Sequence, residues 1–468
     1  MPVVLLTDAF FFALIALTAL YAFYVSRRPH LQAAWRKLAR DRSAMVSLTV
    51  IAFYFAVALL DSLHFRPLIE TAETARNGEA VYSNEVVSVF DRLVSPLGER
   101  FEKTYSGPLA VHAYVKEMVE EDGVRRHVYP RLEHGGAALA DPGRAAADIA
   151  WRAAVWGLAG LLSCAALLAL LCLAVAGPRR APAAMRAVVC NTTGGLPLRA
   201  VAITVALIVV AIFIVVGIGR EYHVLGTDKI GGDVLYQALK SVRTGFLIGT
   251  LTTLIMLPFA LALGVCAGYF LGWVDDVIQY LYTTLNSIPG VLLVAAMVLM
   301  LQLYMDQHGD RFNDLVTRAD TRLLFLCAIL GITSWTGLCR LLRAETLKVR
   351  EMDYIDAARA LGVARPLILL RHVLPNVMHI VVITVALDFS GLVLAEAVLS
   401  YVNIGVDPTM HSWGNMINSA RLEMAREPAV WWPLLAAMVF LFGLVLCANL
   451  FADGVRNAFD PRSEWNRS

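Results

Sequence analysis

Residues 353–375 read DYIDAARALGVARPLILLRHVLP. Asp353 and Asp356 open the stretch, Ile355, Ala358 and Leu361 recur at helical spacing, and Gly362 interrupts them. Asp353 suits an N-cap and Asp356 the third helical position. That is close to a capping box, and acids there favour the positive end of the helix dipole. Gly362 can take the left-handed conformation that ends a helix. The prediction is a helix of about two turns, too short to stand alone and therefore packed against something. Ala357 and Ala358 would let a partner approach closely. Leu374-Pro375 then starts the next helix, where a missing amide is harmless.

Working outward, this polar stretch lies between apolar runs. A membrane-crossing helix needs about 20 mostly apolar residues. Nine candidates fit: roughly 3–25, 44–63, 150–176, 200–219, 243–270, 281–305, 322–342, 377–400 and 429–451. The run Thr244–Phe270 is long, which implies tilt or a start outside the hydrocarbon. Composition agrees: 58% of residues are hydrophobic and 17% charged, where a soluble domain carries about 25% charged. Met1–Asp8 has no Lys or Arg while Arg27 and Arg28 follow the first run, so that run reads as a retained helix rather than a cleaved signal.

The basic residues set an orientation. Loop 26–43 holds Arg27, Arg28, Arg36, Lys37, Arg40 and Arg42 against Asp41. Loop 177–199 holds Arg179, Arg180, Arg186 and Arg199, and loop 340–376 holds Arg340, Arg343, Lys348, Arg350, Arg359, Arg365 and Arg371. Nine spans put all three on one, cytoplasmic, side, with the N-terminus periplasmic and the C-terminus cytoplasmic. Loop 271–280 departs from the bias, carrying Asp275 and Asp276 and no base.

The segment His64–Asp148 mixes acids and bases, falls outside the membrane by this count, and reads as a small cap or as a partner-binding element. The seven cysteines, Cys164, Cys172, Cys190, Cys266, Cys327, Cys339 and Cys447, form no CxxC or Cys/His cluster, so neither a metal site nor a disulfide framework is indicated. No basic nucleic-acid surface stands out. There is no GxxxxGK[ST] run for ATP, no HExxH and no GxSxG, so no catalytic residue is assigned.

Residues 353–375 resemble the EAA loop of ATP-binding-cassette importer permeases, with Asp356, Ala357, Ala358, Gly362, Leu374 and Pro375 at its positions. Asp356 replaces the usual Glu, and His372 an apolar residue. Further stretches are similar to the dipeptide/oligopeptide/nickel branch, in particular its DppC/OppC-like second permease. Leu225–Val234 resembles the LGTDxxGRDV signature through Gly226, Thr227, Asp228, Gly231 and Asp233, with Gly232 in place of Arg. Ala267–Asp275, Ile288-Pro289 and Ala395–Tyr401 resemble other segments of that branch. So do Ser412–Met416, containing Trp413, Gly414 and Asn415, and Asp453–Arg462. Trp35–Val46 resembles the basic lead-in to the first core helix.

The resemblance implies an all-α polytopic fold with a type I importer permease core and a small extracytoplasmic segment. It implies N-terminal helices over 1–63, an insertion over 64–148, two added spans over 149–219 and the core over 220–468. It implies a second homologous permease, two ATPase subunits that bind ATP and Mg, a periplasmic solute-binding protein and a lipid environment, in the inner membrane of a bacterium. Peptides are the expected cargo, with nickel and peptide-like antibiotics as alternatives.

Asp388 and Glu396 lie within span 377–400, about 80° apart around a helix. A carboxylate in hydrocarbon costs roughly 2.5–3.5 kcal/mol, so these should face a cavity or a partner, lining the translocation path or a subunit seam. For Glu396, simple solvation at the outer interface is an equal alternative. Two other classes fit the sequence less well. A membrane-embedded enzyme using these two acids lacks a nucleophile and a metal set, and a receptor anchored by nine spans has more membrane than an anchor requires.

Overall fold

The computed structural model describes residues 1–468 apart from 28, 69–81, 84, 122–123, 140, 178–184, 186–187, 189–194, 310–313 and 460–468. Arg28, Arg179, Arg180, Arg186, Cys190 and the Asp460–Arg462 end of the C-terminal motif lie outside the described residues. Strand β1 (Pro2–Val3) leads to α1 (Leu6–Ser26), α2 (Pro29–Leu38) and α3 (Arg42–Asp61). Short strands β2 (His64–Phe65) and β3 (Val87–Ser88), helix α4 (Val89–Leu93) and strands β4 (Glu117–Glu121) and β5 (Val124–Val128) follow. Then come α5 (Ala145–Ala176), α6 (Leu198–Gly219), α7 (Val234–Phe270), α8 (Trp273–Ser287), α9 (Gly290–Gln307), α10 (Leu315–Arg350) and α11 (Asp353–Ala360). Helices α12 (Arg365–Tyr401), α13 (Trp413–Glu423) and α14 (Trp432–Phe459) complete the chain. Among the described residues nine helices are long and apolar enough to cross a membrane, and each of the nine predicted spans meets one.

Two boundaries differ from expectation. The span predicted over 281–305 begins at Gly290, because Pro289 forces Ile288 into an extended conformation with ψ 129°. The residues before it form the separate amphipathic helix α8. Pro375 does sit in the first turn of a regular α-helix, Leu374–Tyr401, but that helix follows a helical turn instead of a loop. Helix α12 runs unbroken from Arg365 to Tyr401, and Leu369–Val373 form a π turn in which the Leu374 N–H donates to the Leu369 carbonyl. This widened turn takes up the strain that Pro375 would put on a regular ladder.

The chain divides into two compact units. The first gathers Met1–Val3, Ala39–Arg243 and His411–Cys447. In it β1, β2 and β3 form an antiparallel sheet, and β4 and β5 a hairpin. Asp41 caps α3 by accepting from the Ser43 N–H at 3.0 Å. Helices α5 and α6 pack closely through small residues: a Cβ on Gly217 would lie 2.2 Å from the Trp156 ring. Tyr54 on α3 donates its hydroxyl to the Phe440 carbonyl of α14 at 3.0 Å.

The second unit gathers Val4–Leu38, Thr244–Met410 and the chain from Ala448 onward. Its core joins α7, α8, α10, α11 and α12 around Leu338, Cys339, Leu342, Ile355, Ile368 and Val377. Gly264 and Gly268, one turn apart on α7, let α10 come within backbone distance. A Cβ at Gly264 would stand 2.9 Å from the Cys339 carbonyl, and one at Gly268 would stand 2.7 Å from that of Arg343. The added helix α1 is tied to α10, where the buried Asp320 accepts from both the N–H and the hydroxyl of Thr7.

Candidate functional site

Helix α11 forms where the sequence puts it, but its start differs. Met352 is the N-cap and makes no side-chain bond, Asp353 is the first helical residue, and the expected capping box is absent. Asp356 instead pairs with Arg359 at 3.1 Å one turn on. The end agrees with expectation in detail. Gly362 sits at φ +76°, its N–H donates to the Arg359 carbonyl, and the Val363 N–H reaches back to the Ala358 carbonyl. Those two bonds make a Schellman stop. Ile355 and Ala358 are buried in the unit core, as the helical spacing implied, whereas Leu361, expected beside them, is 83% exposed. As the C-cap it has left the helix, and it stands with the exposed Ala357.

The loop is fastened from below. Asn376 donates to the Tyr354 hydroxyl and to the His372 carbonyl, both at 2.8 Å, and His372 packs against the Tyr354 ring. Leu374 is half-buried and Pro375 exposed. The acidic loop that departed from the charge bias has its own explanation. Asp275, at the start of α8, receives both Nε and an Nη of Arg343 at 2.6 Å, a bidentate pair. That guanidinium holds the Asp275 carboxyl below the usual carboxylate range.

On α12, Glu396 is 1% exposed, not solvated. It accepts from the Ser400 hydroxyl at 2.7 Å, and the Ser400 oxygen accepts from the Val406 N–H at 3.3 Å. The acid thereby pins the turn that follows the helix. Asp388 is half-buried and makes no hydrogen bond or ion pair among the described residues. The two acids are therefore unlike: one is spent on local structure and the other is unspent.

In the first unit, the stretch from Gly226 to Asp233 is held by the 64–148 segment. Gly226 has φ +73°, and a Cβ there would meet the Ser106 carbonyl at 2.4 Å. The buried Thr227 hydroxyl accepts from the Ser106 N–H at 2.7 Å and donates to the Thr104 carbonyl at 2.9 Å. The Thr227 carbonyl accepts from the Trp432 indole at 2.9 Å. Asp228 closes the loop on itself, accepting from the N–H groups of Ile230 and Gly232 and from the Gln237 amide. Gly231, at φ +83°, leaves only 1.7 Å between an added Cβ and the Glu102 carbonyl, and its own carbonyl accepts from the Glu102 N–H at 3.0 Å.

Asp233 caps α7 through the N–H groups of Leu235 and Tyr236 and meets His223 Nδ1 at 2.8 Å. On the other side His223 Nε2 lies 3.6 Å from Glu102, within ion-pair range and beyond a hydrogen bond. Burial lowers an imidazolium pKa, yet the two carboxylates outweigh it and push His223 up to about 9. Trp413 is buried and donates to the Ala238 carbonyl at 3.0 Å, Gly414 is buried beside it, and the Asn415 N–H donates to the Ser412 hydroxyl that caps α13.

Sequence reading missed His223, Glu102 and Arg322. The first two carry no local signal: Glu102 lies far from His223 in the chain, and His223 meets Asp233, ten residues on, only because the intervening loop folds back. Arg322 did have one, an ionisable residue at the edge of a predicted span. It is buried and faces Asp407 at 3.6 Å, and with the Gln302 amide turned so that its oxygen faces the guanidinium, it donates there at 3.1 and 2.7 Å.

An all-α polytopic membrane protein with a Schellman-stopped helix between two spans defines the class. The family described as binding-protein-dependent transport system inner membrane component matches residues 260–465. The oligopeptide transport system permease protein OppC of Mycobacterium tuberculosis is 32% identical over 241 residues, covering 52% of this chain and 76% of that protein. The glutathione transport system permease protein GsiD of Pectobacterium atrosepticum is also 32% identical over 241 residues, covering 51% and 73%. The dipeptide transport system permease protein DppC of Lactococcus lactis is 29% identical over 244 residues, covering 52% and 65%. The chain belongs to the OppC/DppC/GsiD family of ATP-binding-cassette importer permeases.

Proposed function

We propose that this chain carries peptides across a bacterial inner membrane as one of two homologous permease subunits. Separate ATPase subunits supply the energy, binding ATP and Mg themselves, and a periplasmic binding protein delivers the cargo. The observation that carries this reading is the form of α11: a rigidly ended helix, buried through Ile355 and Ala358, that leaves Ala357, Leu361 and Gly362 uncovered. Asp353, Asp356, Ala357, Ala358, Gly362, Leu374 and Pro375 form the coupling element. An ATPase that grips its open face can move α10 and α12, to which the loop is fastened. The similar proteins are oligopeptide, dipeptide and glutathione transport permeases, which supports a peptide cargo.

In this reading α11 is cytoplasmic, the N-terminus is periplasmic, and residues 220–468 are the working core. Asp388 faces the pathway or the subunit seam. Gly226 to Asp233, with Trp413, Gly414 and Asn415, form a periplasmic floor on which residues 64–148 sit as a cap. The test is uptake of labelled di- and oligopeptides into vesicles containing the complete transporter, with nickel run in parallel. ATP-dependent peptide accumulation is expected. Nickel accumulation without peptide would reassign the cargo, and failure of Ala357→Cys to crosslink to an ATPase subunit would remove the coupling role.

A further inference from the structure

Beneath α11 lies a second feature, a cleft of about 440 Å³. Three arginines from three elements line it: Arg350 at the end of α10, Arg359 within α11 and Arg365 at the start of α12. No carboxylate lines it. Arg359 is partly neutralised, pairing with Asp356 and resting 5.1 Å over the Tyr269 ring. Arg350 and Arg365 make no hydrogen bond or ion pair among the described residues. Tyr269 and Phe270, the last residues of α7, supply the aromatic wall.

The geometry points to a binding site for the phosphate headgroup of an anionic phospholipid, seated where α7, α10 and α12 end together. Like charges lining one cleft repel, and an anion seated among them offsets that repulsion. The arginine fork matches phosphate oxygens in pairs. Aromatic residues at a helix end mark the headgroup level, and basic pockets between spans on the cytoplasmic side hold anionic headgroups. The alternative occupant, an acidic side chain of an ATPase, is separated from a lipid by the test below. A lipid arrives from the membrane itself. The inference rests on the cytoplasmic placement of α11 given above.

The test is native mass spectrometry of the purified transporter after exchange into mixed phosphatidylglycerol and phosphatidylcholine. The wild type retains phosphatidylglycerol in preference to phosphatidylcholine. The Arg350→Gln/Arg365→Gln variant retains it about 30-fold more weakly, equivalent to roughly 1 kcal/mol per charge near an anionic surface. The Arg350→Lys/Arg365→Lys variant, which keeps charge and loses the fork, falls between, and this ordering guards against general misfolding. Equal retention by all three overturns the proposal. Displacement of the lipid by excess inorganic phosphate overturns it in favour of a free anion. Unchanged retention with loss of ATPase co-purification assigns the arginines to the partner instead. Lipid retention is read without transport, so absence of peptide uptake would sink the functional reading and leave this result standing.

Discussion

His223 Nδ1 and Asp233 Oδ2 stand 2.8 Å apart in a pair that excludes solvent almost completely, and the other carboxylate oxygen of Asp233 caps α7. The histidine therefore bonds to the same carboxylate that starts a membrane helix, while its far side faces Glu102 of the added segment. Held between these two carboxylates, the imidazolium form of His223 is favoured, and it places a cation beside the loop that leads into α7.

The raised pKa of His223, about 9 against an ordinary 6.5, fixes the sign of a pH effect. The protonated ring contributes its full stabilisation below about pH 6.5, and that contribution is lost as the pH rises through about 9. The melting temperature of the purified protein is expected to fall across that window. His223→Gln should cost roughly 3 kcal/mol at low pH, because it leaves buried carboxylates without their cation, and should flatten the decline. Parallel melting curves for the two proteins would remove the clamp.

Gly231→Ala tests how the added segment is seated. The new methyl would overlap the Glu102 carbonyl and occupy a positive-φ position. Faster cleavage of residues 64–148 in limited proteolysis is expected, with membrane insertion unchanged. A wild-type cleavage pattern would show that the loop and the segment are not locked together.

Gly362→Val addresses coupling. No atom lies within 4 Å of an added Cβ, so the cost is purely conformational, roughly 1–2 kcal/mol for a side chain at φ +76°. That is enough to fray the stop of a two-turn helix. Substrate-stimulated ATPase activity of the reconstituted complex should drop severalfold, while Gly362→Asn, which tolerates the conformation, should keep most of it. Normal uptake by the valine variant would argue strongly against α11 as the coupling element.

Ser400→Ala removes a donor from the buried Glu396 and an acceptor from the Val406 N–H. A loss of about 1–3 kcal/mol is expected from leaving such groups underbonded, read as a lower melting temperature. An unchanged melting temperature would mean that the turn after α12 is held by other contacts.

The nine spans were legible because apolar runs of that length have few other outcomes, and α11 was legible because Ala-rich spacing and a glycine stop are local signals. Its N-cap was misplaced by one residue, since nothing in the sequence separates Met352 from Asp353 as the boundary. The close approach of α7 and α10 was readable in principle from Gly264 and Gly268, four residues apart in an apolar run. The division of labour between Asp388 and Glu396 was not readable, because it depends on the fold-back of Ser400 and Val406. The Asp275–Arg343 pair explains the odd acidic loop only once α8 and α10 are side by side.

The π turn at Leu369–Val373 acts as a phase setter for everything beyond it. A single residue more or less in a helix rotates the downstream part by about 100°. Deleting one residue there would turn the half-buried face bearing Asp388 away from its present direction while leaving the span long enough to cross a membrane. The same shift would swing Glu396 off Ser400 only if Ser400 did not move with it, and it does. The local lock would survive and the outward bearing of the helix would change. The extra residue thus sets the direction in which the unspent acid faces.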